Sequence, residues 1–339
     1  MARLVSSWYK NVKNMPEEYI FPPDKKPGKF ITACTENNPV IDLASLDHDP
    51  AATIQQLTKA CQEFGFFQVI NHGVSEIIID DTSNVYKEFF DLPSEEKAKY
   101  LSVDPKSHCR LYTSTYNYAT EEKHFWRDNL THSCYPLEDC MQFWPEKPIR
   151  YKEIVGAYSA EVRKLVLKIL DLICDVLGVE KGYFSEELSG VNLLSVNHYP
   201  PCPDPTSALG MHSHCDPNLI TILHQGTIHG LQVLKDGQWI WAEPLPHAFV
   251  VILGCQMQII SNDKFKSAEH RVVTNSEEAR TSLGTFVLPS PECYVEIAKS
   301  ATKASNPQRY KSYRYKDFIG TYGDKSGNHK EVLSSYYLP

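Results

Sequence analysis

"GLQVLKDGQWIWAEP", Gly230 to Pro244, carries the clearest local statement about fold in this chain. Two alternating runs flank Asp236-Gly237, and an Asp-Gly pair between such runs is the strongest short hairpin signal. The same texture continues outward. From about Asn192, "LLSVNHYP", "LITILHQ", "AFVVILG", "QMQIIS", "HRVVTN" and "RTSLGTFVLP" read as short strands separated by turns. Many short strands at that spacing predict a sandwich or closed barrel of the jelly-roll kind.

Toward the N-terminus the pattern is mixed. "PVIDL" (Pro39 to Leu43) reads as a strand, and "AATIQQLTKACQEFG" as a helix that starts behind Asp49-Pro50 and stops at Gly65. "FFQVINHG" reads as a strand and "SEIIIDDTSNVYKEFF" as a second helix. Between Tyr151 and Leu177 the residues Val162, Leu165, Val166, Ile169, Ile173 and Val176 repeat at helical spacing, with Gly178 as the stop. The predicted fold class is therefore α+β, a jelly-roll core with flanking helices. Residues 1–38 are expected to form an extended lead, 39–185 a mixed helical region, 186–300 the core, and 301–339 a closing segment.

Composition narrows the function. The 339 residues are 42% hydrophobic, enough for a real core, and carry a formal charge of −8 with no basic run, which argues against nucleic acid as a partner. The ten cysteines include no C-x-x-C pair and read as reduced thiols. "MARLVSSWYKNVKNMPEEY" has no apolar leader, and no apolar run approaches the length of a membrane span. A cytoplasmic monomer with a small-molecule substrate is expected.

"MHSHCDPNLITIL", Met211 to Leu223, concentrates the chemistry. Residues two apart on a strand face the same way, so His214 and Asp216 can converge on one ion, and His212 shares that face while the strand stays regular. A mononuclear, oxygen-using Fe(II) site takes two imidazoles and one carboxylate on one face of an octahedron. The candidate for a ligand from elsewhere is His270 in "KSAEHRVV", 270 − 216 = 54 residues beyond the aspartate. Ten residues further, Arg280 and Ser282 share a strand face. A guanidinium beside a hydroxyl suits a carboxylate, because the Arg fork is bidentate and its charge cannot be lost.

"HCD", the later His270 and "RTS" follow "NHYPPCPDP" and are preceded by "PVIDL", "ACQEFGFFQVINHGV" and "EFFDLPSEEK". This ordered set resembles the plant family of iron(II)- and 2-oxoglutarate-dependent dioxygenases from about Pro39 to Tyr315. "FWRDNLTHSCYPLE", "WPEKP" and "NHYPPCPDP" are most similar to its hyoscyamine 6-hydroxylase-like branch. The resemblance implies a double-stranded β-helix, with His214, Asp216 and His270 as iron ligands and Arg280 and Ser282 as receptors for the distal carboxylate of 2-oxoglutarate. It also implies Asn197 and Tyr199 as further co-substrate contacts, O2 as oxidant and ascorbate as reductant. The implied reaction hydroxylates, desaturates, epoxidises or cyclises a small plant metabolite such as an alkaloid or a phenolic or flavonoid, releasing succinate and CO2.

Two alternatives keep the fold: an ascorbate-dependent oxidase of the aminocyclopropane-carboxylate oxidase type, and a non-catalytic jelly roll that binds a small ligand. Cys215 between the ligands and Gly254-Cys255 after the next apolar strand depart from the family's frequent residues. Tyr112, Tyr116, His212 and Phe286 are expected to line the substrate pocket. His72 reads as a structural turn residue, and His124, His132 and His247 as satisfied surface residues.

Overall fold

The computed structural model describes residues 3–27, 38–325 and 327–339. Twelve strands form two sheets: β1 (Val40–Asp42), β2 (Phe66–Ile70), β3 (Cys109–Thr113), β4 (Asp128–Tyr135), β5 (Val191–Tyr199), β6 (Leu209–His214), β7 (Ile220–His224), β8 (Leu231–Lys235), β9 (Gln238–Trp241), β10 (Phe249–Leu253), β11 (His270–Val273) and β12 (Arg280–Leu288). The larger sheet runs β1-β2-β10-β7-β12-β5-β4-β3, and the smaller runs β6-β11-β8-β9. Only β1 and β2 pair in parallel; the other ladders of these two sheets are antiparallel. Asp236 and Gly237 both take positive φ, +50° and +79°, the backbone a two-residue primed turn demands.

Two packings hold the sheets. Phe66, Val250 and Ile252 of the larger sheet meet Leu231 and Val233 of the smaller, closing one end of the barrel with apolar side chains. Behind the larger sheet lie the helices Pro50–Glu63, Glu76–Asp91 and Tyr151–Leu177. The last buries Val155, Tyr158, Val162, Val166, Ile169 and Ile173 in the main core and ends at Gly178 in the left-handed region. Each such large side chain contributes about 1.5–3 kcal/mol of burial free energy.

Several expectations are corrected. "QMQIIS" is not a strand but the helix Cys255–Ile260, with Gly254 as its N-cap. Six residues of which all but Gln258 are buried are too short and too evenly covered for a period to separate strand from helix. The N-terminal segment is not simply extended: Val5–Ser7, Tyr9–Asn11 and Glu17–Tyr19 are short 3-10 turns. The buried carboxylate of Asp128 draws the first turn in, accepting 2.8 Å hydrogen bonds from the backbone N–H groups of both Val5 and Ser6. His132 is a core residue rather than a surface one, its Nε2 2.8 Å from the Tyr151 hydroxyl. His124 stacks on Tyr118 and meets Glu121 at 2.7 Å, and His247 sits 3.1 Å from Asp80. His72 makes the expected turn contacts, to the His247 carbonyl at 2.9 Å and the Val74 N–H at 3.1 Å.

Three buried histidines away from the candidate metal ligands make stability depend on pH. Burial pushes His132, His198 and His224 each down to about 4 from an ordinary value of 6.5. The unfolded chain therefore binds more protons than the folded one between those limits. Their contribution is intact above about pH 6.5 and is lost as pH falls toward 4. At its steepest the loss reaches about 4 kcal/mol per pH unit for the three together. Thermal melts between pH 7 and 4 should show a steep decline, flatter by about one proton in His132→Gln; a profile identical in the variant would contradict the assignment.

Candidate active site

Two neighbouring strands of the smaller sheet gather the chemistry. β6 and β11 are antiparallel neighbours with His214 opposite His270, so register alone brings residues 56 positions apart face to face. Asp216 lies just past the end of β6, where the chain leaves the sheet. One ligand atom from each of His214, Asp216 and His270 lies within 4.8 Å of the others, the only such cluster among the described residues. The Nε2 atoms of His214 and His270 stand 3.5 and 3.7 Å from Asp216 Oδ1.

Each side chain is aimed by its surroundings. The Nδ1 of His214 is 2.9 Å from the His212 carbonyl, and the Nδ1 of His270 is 2.9 Å from the Ala268 carbonyl. With Nδ1–H donated to a carbonyl, the lone pair stays on Nε2, the arrangement that orients metal-binding histidines. Thr221 donates to Asp216 Oδ2 at 2.6 Å, fixing the carboxylate plane and leaving Oδ1 toward the imidazoles. Burial opposes charge on Asp216, but the two histidines and the Thr221 hydroxyl outweigh it and hold the carboxyl below its ordinary range. Burial first, and then the neighbouring His214, pushes His270 down to about 4 from its ordinary value.

The backbone of the ligand turn is also held. Tyr322 donates to the Cys215 carbonyl at 2.8 Å, and Gln256 donates to the Pro217 carbonyl at 2.9 Å while accepting from Tyr313 at 2.7 Å. The C-terminal helix Tyr315–Asp324 thereby clasps the turn between the two ligands it carries. Cys215 itself is fully buried, pointing away toward Ser267 at 3.7 Å.

A buried guanidinium stands opposite Tyr199 in the larger sheet. Arg280 is 2% exposed, yet no carboxylate among the described residues lies within ion-pair distance of it. Its Nε donates to the Ile228 carbonyl at 3.1 Å and its Nη1 reaches Ser282 at 3.5 Å, while Nη2 is buried with no partner. Leaving a buried guanidinium edge unpaired is costly, which marks it as a place for a bound anion. Gly230 makes room for it, since a Cβ there would lie 2.8 Å from the Arg280 side chain. The Tyr199 ring lies 5.3 Å below the guanidinium, and Gly210 leaves space for that ring.

The remaining expected residues divide. Asn197 is the direct partner of Ser282 across β5 and β12, but its Oδ1 accepts from Arg127 at 2.6 Å and from Asn129 at 2.9 Å. His212 is not in the three-residue cluster; its ring is 5.5 Å from that of His214 and 5.1 Å from Phe125, and burial pushes it down to about 3. Phe286 is half-buried on the face of β12 shared with Arg280 and Ser282. Tyr112 is half-buried on β3, and Tyr116 is 53% exposed in the loop beyond it. Sequence reasoning passed over Thr221, Tyr322 and Arg127. Nothing local marks the first two, but "FWRDN" places a cation and an anion side by side directly after two large aromatic residues.

The donor set fits Fe(II): two imidazoles and one carboxylate converge from one side. The orphaned Arg280 edge beside Ser282 fits the far carboxylate of a keto diacid. Comparison with known proteins points the same way. Residues 190–289 match the model of the 2OG-Fe(II) oxygenase superfamily, and residues 39–147 that of the non-haem dioxygenase in morphine synthesis N-terminal region. Hyoscyamine 6-dioxygenase of Hyoscyamus niger is 43% identical over 96% of both chains. The protein Downy Mildew Resistance 6 of Arabidopsis thaliana is 40% identical over 99% of this chain and 98% of its own. A crystal structure of JOX2 in complex with 2OG, Fe and JA superposes with a TM-score of 0.88 at 31% identity, covering 100% of this chain and 98% of that one.

Proposed function

Because this chain belongs to the 2OG-Fe(II) oxygenase superfamily and is a 2-oxoglutarate-dependent dioxygenase, we propose that His214, Asp216 and His270 hold its iron, that Arg280 and Ser282 hold the distal carboxylate of 2-oxoglutarate, and that its substrate is a small plant specialised metabolite. The observation that carries this reading is the meeting of three ligand atoms within 4.8 Å beside a buried, unpaired guanidinium. Bound there, Fe(II) couples the oxidative decarboxylation of 2-oxoglutarate by O2, to succinate and CO2, to attack on a substrate C–H bond.

The protein's own part is positional. The His212 and Ala268 carbonyls fix the two imidazole tautomers, and Thr221 fixes the carboxylate. Two imidazoles and one carboxylate occupy one side only, which leaves positions for exchangeable groups. Buried Arg280 draws the co-substrate's charged end to a fixed depth, so its keto acid end has one place to go. Phe125 and His212, whose rings are 5.1 Å apart, and half-buried Phe286, on the face of β12 that carries Arg280 and Ser282, offer apolar surface to a substrate.

The name of the relative from Hyoscyamus niger supports an alkaloid, and the aromatic border equally supports a phenolic or flavonoid substrate. The test is succinate release from 2-oxoglutarate by the iron-loaded enzyme, screened over alkaloids, flavonoids and phenolic acids. At least one class should raise the rate well above the substrate-free level. Oxygen uptake supported by ascorbate alone, with no need for 2-oxoglutarate, would instead assign the oxidase chemistry.

A further inference from the structure

Arg280 is not the only unpaired cation in this cavity. Arg127, just before β4, is 7% exposed, and no carboxylate among the described residues lies within ion-pair distance of it. The acidic groups beside it in sequence are engaged elsewhere. Asp128 accepts from the Val5 and Ser6 amides, and Glu121 takes hydrogen bonds from Ser114, Thr115 and His124. Arg127 donates from Nε to the Ser114 carbonyl at 2.8 Å and from Nη1 to Asn197 Oδ1 at 2.6 Å. Of its five N–H donors, 5 − 2 = 3 remain for something else.

The position of that fork is informative. Asn197, which accepts from Arg127, is the direct cross-strand partner of Ser282, which Arg280 reaches. Side chains of directly opposed residues lie on one face of a sheet, so both guanidiniums approach the same face of the larger sheet. His212 belongs to the same neighbourhood, its ring 5.1 Å from that of Phe125, two residues before Arg127. The His212 Nδ1 is buried with no hydrogen-bond partner, a second polar atom of this wall that the protein leaves unused. The backbone around the fork is constrained: Ser114, whose carbonyl holds Nε, takes φ +57°.

Charge arithmetic gives the missing partner. With iron and 2-oxoglutarate in place, the cavity carries +4 from Fe(II), Arg280 and Arg127, and −3 from Asp216 and the co-substrate's two carboxylates. One positive charge is left over in a buried space, which favours a monoanionic guest.

We propose that Arg127, with His212 beside it, is the receptor for a carboxylate on the organic substrate, so that the enzyme acts on a small organic acid. This rests on the dioxygenase reading and names the substrate class within it. Arg127 is a binding and specificity residue. A bidentate charge-assisted pair discriminates strongly against a neutral isostere that cannot supply two acceptors of full charge.

The experiment is calorimetric titration of the anaerobic Fe(II)–2-oxoglutarate enzyme with cinnamate, 4-hydroxybenzoate and cyclohexylacetate, and with their primary amides. Acids should bind at least about tenfold more tightly than the matching amides. Arg127→Gln should weaken the acids by about tenfold to a hundredfold and leave the amides where they were, with Arg127→Lys in between. Thermal melts establish that each variant folds, and the acid–amide comparison in the unmodified enzyme decides the matter if a variant does not. Amides binding as tightly as acids, no acid binding at millimolar concentration, or equal weakening of both by Arg127→Gln would overturn the proposal. Such a failure is separate from failure of the dioxygenase reading, which would appear as no iron-dependent succinate formation with any class of compound.

Discussion

Asp216→Ala should abolish substrate-dependent succinate formation and lower affinity for Fe(II) by more than about a hundredfold. Loss of an outer group that merely orients a ligand already costs about 10- to 100-fold in metal affinity, and Asp216 is itself proposed as a ligand and the only anionic one of the three. Its carboxylate is the hub of the cluster, with both imidazole Nε2 atoms within 3.7 Å of one oxygen. Removing it leaves His214 and His270 as a two-nitrogen site with no charge to offset that of the ion. The protein should still fold, because the side chain's only other partner is the Thr221 hydroxyl. Anaerobic iron titration and succinate assay of the folded variant are the checks. Full activity would remove Asp216 from the ligand set.

Arg280→Leu should raise the dissociation constant for 2-oxoglutarate by between about thirtyfold and several thousandfold. Truncating one partner of a buried charge pair costs about 2–5 kcal/mol, and the fork is proposed to meet the co-substrate's distal carboxylate. Iron affinity in the absence of 2-oxoglutarate should be little changed, since Arg280 contacts Ile228, Ser282 and Tyr199 and none of the three proposed ligands. A second consequence follows from burial. With no carboxylate beside it, Arg280 costs stability in the protein free of co-substrate, and burial holds its pKa below the ordinary guanidine range. The leucine variant without ligand should therefore melt no lower than the unmodified protein. Co-substrate affinity unaffected by the change would place the diacid elsewhere.

What could be read from residues alone was whatever depends on local period or turn chemistry. The Asp236-Gly237 hairpin, the helix ended by Gly178 and the strands from β5 to β12 follow from φ preference and apolar spacing. "QMQIIS" misled because its polar and apolar residues are buried alike, all but Gln258, so burial does not follow the alternation the residues show. At the site, alternation put His214 and Asp216 together, while the pairing of His214 with His270 depends on the register of β6 and β11, which motif spacing suggested and residue pattern alone does not determine. Tyr322 and the Asn197 contact of Arg127 were out of reach for the same reason, since each acts across the fold, from a late helix and from a loop. Thr221, five residues past Asp216, needs the turn between them to bring its hydroxyl back. His132 reads in sequence like any satisfied surface residue; the Tyr151 hydroxyl, brought by a helix, and the Ser133 carbonyl make its burial tolerable.

The most direct test of the central claim is an anaerobic crystal structure with Fe(II) and 2-oxoglutarate, using iron anomalous scattering to place the ion. The account predicts one anomalous peak within bonding distance of His214 Nε2, an Asp216 carboxylate oxygen and His270 Nε2, with the diacid's far carboxylate on Arg280 and Ser282. An iron peak away from any one of those three side chains, or a diacid whose charged end lies outside the Arg280 fork, would contradict it.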